Sequence, residues 1–357
     1  MLGTVDTPDR RERFRGCLLG GAIGDALGAP VEFLDRFSIR RAFGPHGVRG
    51  YELAYGKIGA ITDDTQMTLF TAEALLRLRV AAEVGLVLDP GAVACHAYMR
   101  WLRTQRVAST VPLPEPPGLL LGIDGLYAKR GPGLTCLSAL VDKQALTAAV
   151  AHNDSKGCGG VMRMAPVGLD NTDPAAAFSQ GTLFAALTHG HPSGSLAAGA
   201  FASLITLITT GIPLEAAIEP MLVELARWPG HEETRDAIVN ARQLATQGAP
   251  DVDTVESLGA GWVGEEALAI GLYAALVAPT FAAGVLLAVN HGGDSDSTGA
   301  IAGNLLGALH GVNSIPDDWR EDVELGDLTL QLADDLCDAP AWTRSDAKRM
   351  AVAYPPL

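Results

Sequence analysis

Basic side chains, aromatics, cysteines and alternating strand patterns are all scarce in this chain, and each shortage excludes something. Lysine and arginine number 26 against 41 aspartates and glutamates in 357 residues, a formal net charge of −15. A surface of that sign repels phosphate backbones, so nucleic acid is disfavoured as a general partner, although an acidic surface also serves simple solubility. The five cysteines, Cys17, Cys95, Cys136, Cys158 and Cys337, are odd in number and scattered, with no CxxC pair and no cluster with histidine. Neither a secreted disulfide framework nor a zinc site looks like this. The opening residues MLGTVDTPDRRERFRG carry charge and no apolar run of the signal-peptide kind, which gives a cytoplasmic expectation. The uncharged run Ala267 to Val289 is about long enough to span a bilayer, but Pro279 divides it into two apolar halves that suit two buried helices meeting at a turn. No membrane partner is expected from it.

What the chain has in abundance is alanine, glycine and leucine at helical spacing. Apolar residues recur every three and four positions through Phe14 to Leu27, Met67 to Leu78, Leu196 to Ile208, Ala267 to Leu276 and Ile301 to Leu309. These patterns predict a compact, largely all-α domain whose small residues let helices approach closely. The stretch Ser109 to Gly118, with four prolines, reads as a surface loop. Breaks near Pro213, Pro229 and Pro250 separate helices without a composition shift, so one domain over residues 1–357 is the expectation. Asp317 to Asp338, acidic with interleaved leucines, reads as one or two solvated amphipathic helices.

Two segments concentrate oxygen ligands where a helix begins: GAITDDTQMTLFTAEALL from Gly59 and NHGGDSDSTGAIAGNLL from Asn290. Asp, Ser and Thr are ordinary helix caps, and either segment alone is explained that way. A cap needs one side-chain oxygen, however, and Thr62, Asp63, Asp64, Asp294, Asp296 and Ser297 or Thr298 supply many. If the two helix starts converge, their carboxylates repel by about 4 kcal/mol per pair at roughly 4 Å and an effective dielectric near 20. Cations or protonation relieve that, and an all-oxygen set without clustered histidine or cysteine suits magnesium or manganese.

Three further segments carry candidates. RGCLLGGAIGDALGAPVEF, from Arg15, sets Asp25 and Glu32 among glycines; Asp25 is either a buried hydrogen-bonded acid or a functional one, and Glu32, just past Pro30, is placed to position or activate water. NDSKGCGGVMRMAP, from Asn153, is either a plain turn or a glycine-rich cradle whose N–H groups face an anion. In THGHP, His189 is either packed in place or a ligand contact.

Taken together and in this order, GDALGAPVEF, TDDTQM, NDSKGCGGVMRMAP, THGHP and NHGGDSDSTGAIAGNLLGA resemble the ADP-ribosylglycohydrolases, a family that includes the dinitrogenase reductase-activating glycohydrolases and the ADP-ribosylarginine hydrolases; the match runs from Phe14 to Gly311. The resemblance implies a compact orthogonal multi-helix bundle with a dinuclear metal site in a central cleft. It implies two Mg2+ or Mn2+ ions held by Thr62, Asp63, Asp64, Asp294, Asp296 and Ser297, and Glu32 as the catalytic glutamate. It implies diphosphate and ribose contacts from Ser155, Gly157, Gly159, Gly160, Val161, Met162 and His189. The implied activity is hydrolysis of the glycosidic bond between ADP-ribose and a modified group on a protein or small molecule. A magnesium-dependent phosphohydrolase and a non-catalytic ADP-ribose-binding module are the rival expectations. Two departures stand out: Ser297 replaces the family's frequent threonine, another hard oxygen donor, and Thr104 to Ser109 lacks the acid that arginine-cleaving members present after the segment matching Tyr98 to Arg103.

Overall fold

The computed structural model describes residues 8–113 and 118–357. Among them are seventeen α-helices and one two-stranded hairpin, so the all-α expectation holds. Nine helices suffice to place the site: α1 (Arg10–Gly28), α2 (Asp63–Val84), α3 (Pro90–Thr104), α4 (Leu134–Val141), α5 (Pro192–Thr209), α6 (Gly264–Val277), α7 (Phe281–Val289), α8 (Ser295–His310) and α9 (Gly326–Asp338). Every helical pattern read from the sequence falls inside one of them. Their starts follow local chemistry. Asp9 and Glu12 form a reciprocal capping box on α1, Thr62 caps α2, and Pro90 and Pro192 occupy first-turn positions where no N–H is needed.

The apolar run from Ala267 folds as α6 and α7 on either side of Pro279. Among the described residues one helix, α5, is long and apolar enough to cross a membrane, and 89% of it is buried inside the molecule. The acidic segment 317–338 forms two helices, Asp317–Asp322 and α9. Of the proline-rich stretch, 109–113 is irregular and 114–117 lies outside the described residues.

The organising contact is between α1 and α8, which run antiparallel along a spine of glycines. A Cβ added at Gly16, Gly20, Gly24 or Gly28 would lie 2.3, 2.4, 1.9 or 2.3 Å from the backbone oxygens of Gly307, Gly303, Gly299 and Ser295 in turn. The reverse is equally tight, with a Cβ at Gly307 meeting the Gly16 oxygen at 1.8 Å. Spaced four apart on both helices, these residues form one stripe on each, and only hydrogen in place of a side chain permits backbone-to-backbone packing. Such an approach allows Cα–H groups to face carbonyl oxygens. Inside the same seam, Asn304 donates to the Cys17 carbonyl at 2.7 Å. The spine sets the end of α1 against the start of α8, and so brings Asp25 and Glu32 to Asp294 and Asp296.

Candidate metal centre and active-site cleft

The hub of the site is Asp25, fully buried at the end of α1. Its two oxygens accept the Thr62 amide (3.0 Å each), the Thr62 hydroxyl (2.8 Å), the Thr65 amide (3.1 Å) and the Thr65 hydroxyl. One carboxylate thus ties the first turn of α2 to α1 and fixes the direction in which Asp63 and Asp64 point. Burial, with Asp296 nearby, pushes Asp25 up to about 7 despite these donors. Of the two readings open in the sequence, the geometry makes Asp25 the residue that aims the others.

Asp63 is held from above. Its Oδ2 accepts the Gly133 amide at 3.2 Å, and its own amide donates to the Arg130 carbonyl at 3.2 Å, so the loop before α4 folds across the start of α2. Gly131, at φ +60°, sits where a Cβ would come within 3.2 Å of Glu32 Oε2 and 3.5 Å of both Asp63 Oδ1 and the Tyr55 hydroxyl. Tyr55 reaches that point from the hairpin Leu53–Ala54/Lys57–Ile58, whose two-residue loop has φ +51° at Tyr55 and +79° at Gly56. Positive φ at both loop residues is the tight-hairpin solution.

On the opposite wall Asp294 stands at the start of α8, its carboxylate not used as a cap, its amide bound to the Ala260 carbonyl at 2.8 Å and its Oδ2 2.7 Å from Cys158 Sγ. Asp296 accepts the Ser297 amide at 2.9 Å. The Ser297 hydroxyl donates towards sulfur, Cys158 at 3.5 Å and Met162 at 3.8 Å, and lies against the Asp294 carboxylate. Thr298, the alternative to Ser297 in the sequence, is turned away: its hydroxyl bonds the carbonyls of Ala288 and Asp294 and the ring of His291, each at 2.9 Å.

Glu32, Asp294 and Asp296 present oxygens within 4.8 Å of one another. Glu32 Oε2 and Asp64 Oδ1 are buried and have no hydrogen-bond partner. Burial and then the neighbouring acids, Asp296 first, push Glu32 up to about 10, and they hold Asp63, Asp64 and Asp294 well above the usual carboxylate range. Orphaned buried oxygens that cannot ionise together are the signature of a site completed by positive charge, and the donor set, carboxylates with a hydroxyl, fits hard divalent cations.

These groups line a cleft of about 530 Å³, a size that suits a nucleotide-like ligand. Glu32, Asp63, Asp64, Asp294, Asp296, Ser297, Gly157, Gly159, Met162 and His189 all lie on its wall. Thr62, Ser155, Gly160 and Val161 stand behind the wall. Thr62 serves Asp25, Ser155 bonds the Thr135 hydroxyl at 2.9 Å, Gly160 packs on the Gly194 carbonyl, and Val161 is core. The amides of Gly157, Cys158, Val161 and Met162 already donate to protein oxygens, so the turn offers a ligand fewer N–H groups than its glycine count suggests. His189 is buried, with Nδ1 2.9 Å from the Thr188 hydroxyl, which also takes a bond from Arg163 at 2.7 Å. Burial, with Arg163 close by, drives His189 down to about 3, so it faces the cleft as neutral imidazole.

Sequence reasoning missed part of the lining. Phe33 and Trp262 stack at the mouth, ring centroids 5.9 Å apart and planes 19° apart, and Lys129, Pro132, Leu134, Thr135, Cys136 and Cys158 add to the wall. Trp262 is placed by the backbone, since its carbonyl accepts the Cys158 amide at 3.1 Å. By contrast, Tyr98 to Leu102 are committed to the interior, and only Arg103 of that segment is exposed. Tyr98 bonds Thr71 at 3.0 Å under the Arg163 guanidinium, Arg100 pairs with Glu73, and the Trp101 indole donates to Gln66 at 3.1 Å.

This fold recurs among known proteins. A family model described as ADP-ribosylglycohydrolase matches residues 6–345. The chain belongs to the ADP-ribosylglycohydrolase family. Similar to this ADP-ribosylglycohydrolase is the ADP-ribosyl-[dinitrogen reductase] glycohydrolase of Rhodospirillum rubrum, 28% identical over 89% of this chain and 92% of that one. An ADP-ribosylarginine hydrolase of Pseudomonas putida is 27% identical over 96% of this chain and 82% of that one. A solved structure titled ADP-ribosylglycohydrolase-related protein complex superposes with a TM-score of 0.67 at 26% identity, covering 93% of this chain and 99% of its own. The chain is accordingly an ADP-ribosyl glycohydrolase, an enzyme that cleaves ADP-ribose from its acceptor.

Proposed function

We propose that this enzyme depends on two divalent cations, Mg2+ or Mn2+, and releases ADP-ribose from a protein side chain such as arginine. The observation that carries the cation dependence is the buried, partnerless pair Glu32 Oε2 and Asp64 Oδ1 beside the Glu32, Asp294 and Asp296 oxygens. Asp63, Asp64, Asp294, Asp296 and Ser297 would hold the ions from the cleft wall, and Thr62, whose hydroxyl donates to Asp25, would add a lone pair from behind it. When bound, the cations supply charge that grips the ribose hydroxyls and offsets charge developing on the sugar as its bond breaks. Glu32 does the proton work. Kept neutral by burial and three neighbouring aspartates, it becomes a usable base once that negative charge is compensated, and it then orients a water and takes its proton. Asp25 acts through Thr62 and Thr65, holding the ligand turn in place.

The arginine assignment draws on what the Pseudomonas putida relative is named for. It also draws on the aromatic rim, because Phe33 and Trp262 offer flat faces to a planar guanidinium or base. The expectation from the rim is specific: Trp262→Ala loses about 1–2 kcal/mol of binding, roughly five- to thirtyfold in KM, with kcat little changed. An equal fall in kcat would mean that the ring shapes the chemistry instead.

The direct test incubates the protein with arginine-, serine- and nucleobase-linked ADP-ribose, with and without chelator, and identifies products by mass. ADP-ribose is released from the arginine conjugate, chelation stops it, and Mg2+ or Mn2+ restores it. Release that survives exhaustive chelation removes the cation from the reading, and release only from another conjugate reassigns the acceptor.

A further inference from the structure

The cleft contains a thiol that the chemistry above does not use. Cys158 opens the turn Cys158–Gly160, its amide anchored on the Trp262 carbonyl at 3.1 Å, and its side chain lines the cleft. The Sγ lies 2.7 Å from Asp294 Oδ2 and 3.5 Å from Ser297 Oγ. Asp294 and Ser297 are three apart at the start of α8, so both approach the sulfur from one side. Asp64 Oδ1 and Glu32 Oε2, buried and partnerless, face the same cleft. The other thiol on the wall, Cys136, is engaged by the Arg163 guanidinium at 3.3 Å.

We propose that Cys158 is a sulfur ligand to the cation held by Asp294 and Ser297, which gives that position a preference for thiophilic divalent ions of the zinc and cadmium class over Mg2+. The inference rests on the reading that the acidic cluster holds divalent cations. The chemistry is ligand substitution: a sulfur–cation bond forms, the S–H proton goes to solvent, and nothing is oxidised or reduced. A set of hard oxygens alone favours Mg2+ or Mn2+, whereas one thiolate among them adds the soft donor that zinc-class ions take up. Rigid placement by the turn supplies the sulfur without a rotamer search.

The test uses Cd2+ as the probe on the full chain freed of cations by chelator and dialysis. Titration followed by the ultraviolet thiolate-to-cadmium absorption, with calorimetry for Cd2+ and Mn2+ in parallel, is run on the wild type, Cys158→Ser and Cys136→Ser. The wild type and Cys136→Ser develop the band; Cys158→Ser does not, and it loses at least about tenfold in Cd2+ affinity while Mn2+ affinity changes less. In the wild type alone, Cd2+ also protects Cys158 from iodoacetamide, read by peptide mass, so the answer does not depend on the variants folding. Overturning results are a band that persists in Cys158→Ser, or a wild type that binds Mn2+ yet shows neither band nor protection with Cd2+. A wild type that binds no divalent ion at all overturns the cation reading as well, which separates the two failures.

Discussion

Glu32→Gln lowers the rate of ADP-ribose release by about 10²–10⁴-fold, the usual worth of a positioned acid–base group, and at the same time raises the melting temperature of the cation-free protein at pH 8. Both effects come from one carboxyl. An amide keeps the size of glutamate and cannot take a proton, so the chemical step loses its base. Its effect on stability follows from the direction of the shift. The folded-state value of Glu32 lies near 10, well above that of an unfolded glutamate, so the folded chain holds the proton more tightly than the unfolded one. That preference stabilises fully below the unfolded value and is lost as pH rises from about 4 towards 10. Asp25, pushed up to about 7, Asp63, Asp64 and Asp294 move in the same direction. The cation-free wild type therefore becomes less stable between mildly acidic and alkaline pH, and glutamine at position 32 removes one contributor to the loss.

Added cations reverse the trend. Mn2+ at about one hundred times its Kd contributes about 2.7 kcal/mol, which for a chain of this size is a rise of roughly 4 °C, larger at pH 8 than at pH 5 because protons compete for the same oxygens. Scanning calorimetry at the two pH values, with and without Mn2+, reads all of this. A wild type whose melting temperature is flat with pH and indifferent to Mn2+ contradicts the electrostatic account, and Glu32→Gln with full turnover contradicts the assignment of the base.

The second large effect lies away from the acids. Gly24→Ala puts a methyl group 1.9 Å from the Gly299 oxygen, a backbone atom that cannot rotate aside. Overpacking of this kind costs about 1–3 kcal/mol, and occasionally more. Because α1 and α8 must part to admit the methyl, Asp25 and Glu32 shift away from Asp294 and Asp296. Activity and Mn2+ affinity fall along with stability, and Gly24→Val exaggerates all three. Gly122→Ala is the control, since nothing lies within 4 Å of a Cβ there. Denaturant melts together with Mn2+ calorimetry distinguish the outcomes. A Gly24→Ala protein that is destabilised yet binds Mn2+ normally shows that the spine holds the fold without setting the site.

The sequence was informative where chemistry is local. Helical periodicity located α1, α2, α5, α6 and α8, because each buries one stripe or all of its faces against other helices. The acids at 63, 64, 294 and 296 were visible because two helix starts carried more oxygen than capping needs. Asp25 stayed ambiguous because its partners, Thr62 and Thr65, lie on another helix, and nothing near residue 25 announces a hydrogen-bonded hub. The glycines of α1 suggested close packing, but their partners are nearly three hundred residues away, and spacing alone does not pair them. Phe33 closes a motif that says nothing of its stacking partner, and Trp262 and the segment from Lys129 to Leu137 form no motif at all. That segment reaches the cleft because Gly131 turns at positive φ and Gly133 donates to Asp63, and Trp262 because its carbonyl accepts the Cys158 amide, contacts that exist only after folding.

The pairing of α1 with α8 has a consequence for how the enzyme comes into being. Asp25 and Glu32 precede Asp294 and Asp296 by well over two hundred residues, so the two halves of the cleft meet through a long-range partnership, the kind of topology that slows assembly. Until α8 is made, the glycine stripe of α1 has no partner to cover it, and the cleft stays unassembled until that seam is sealed.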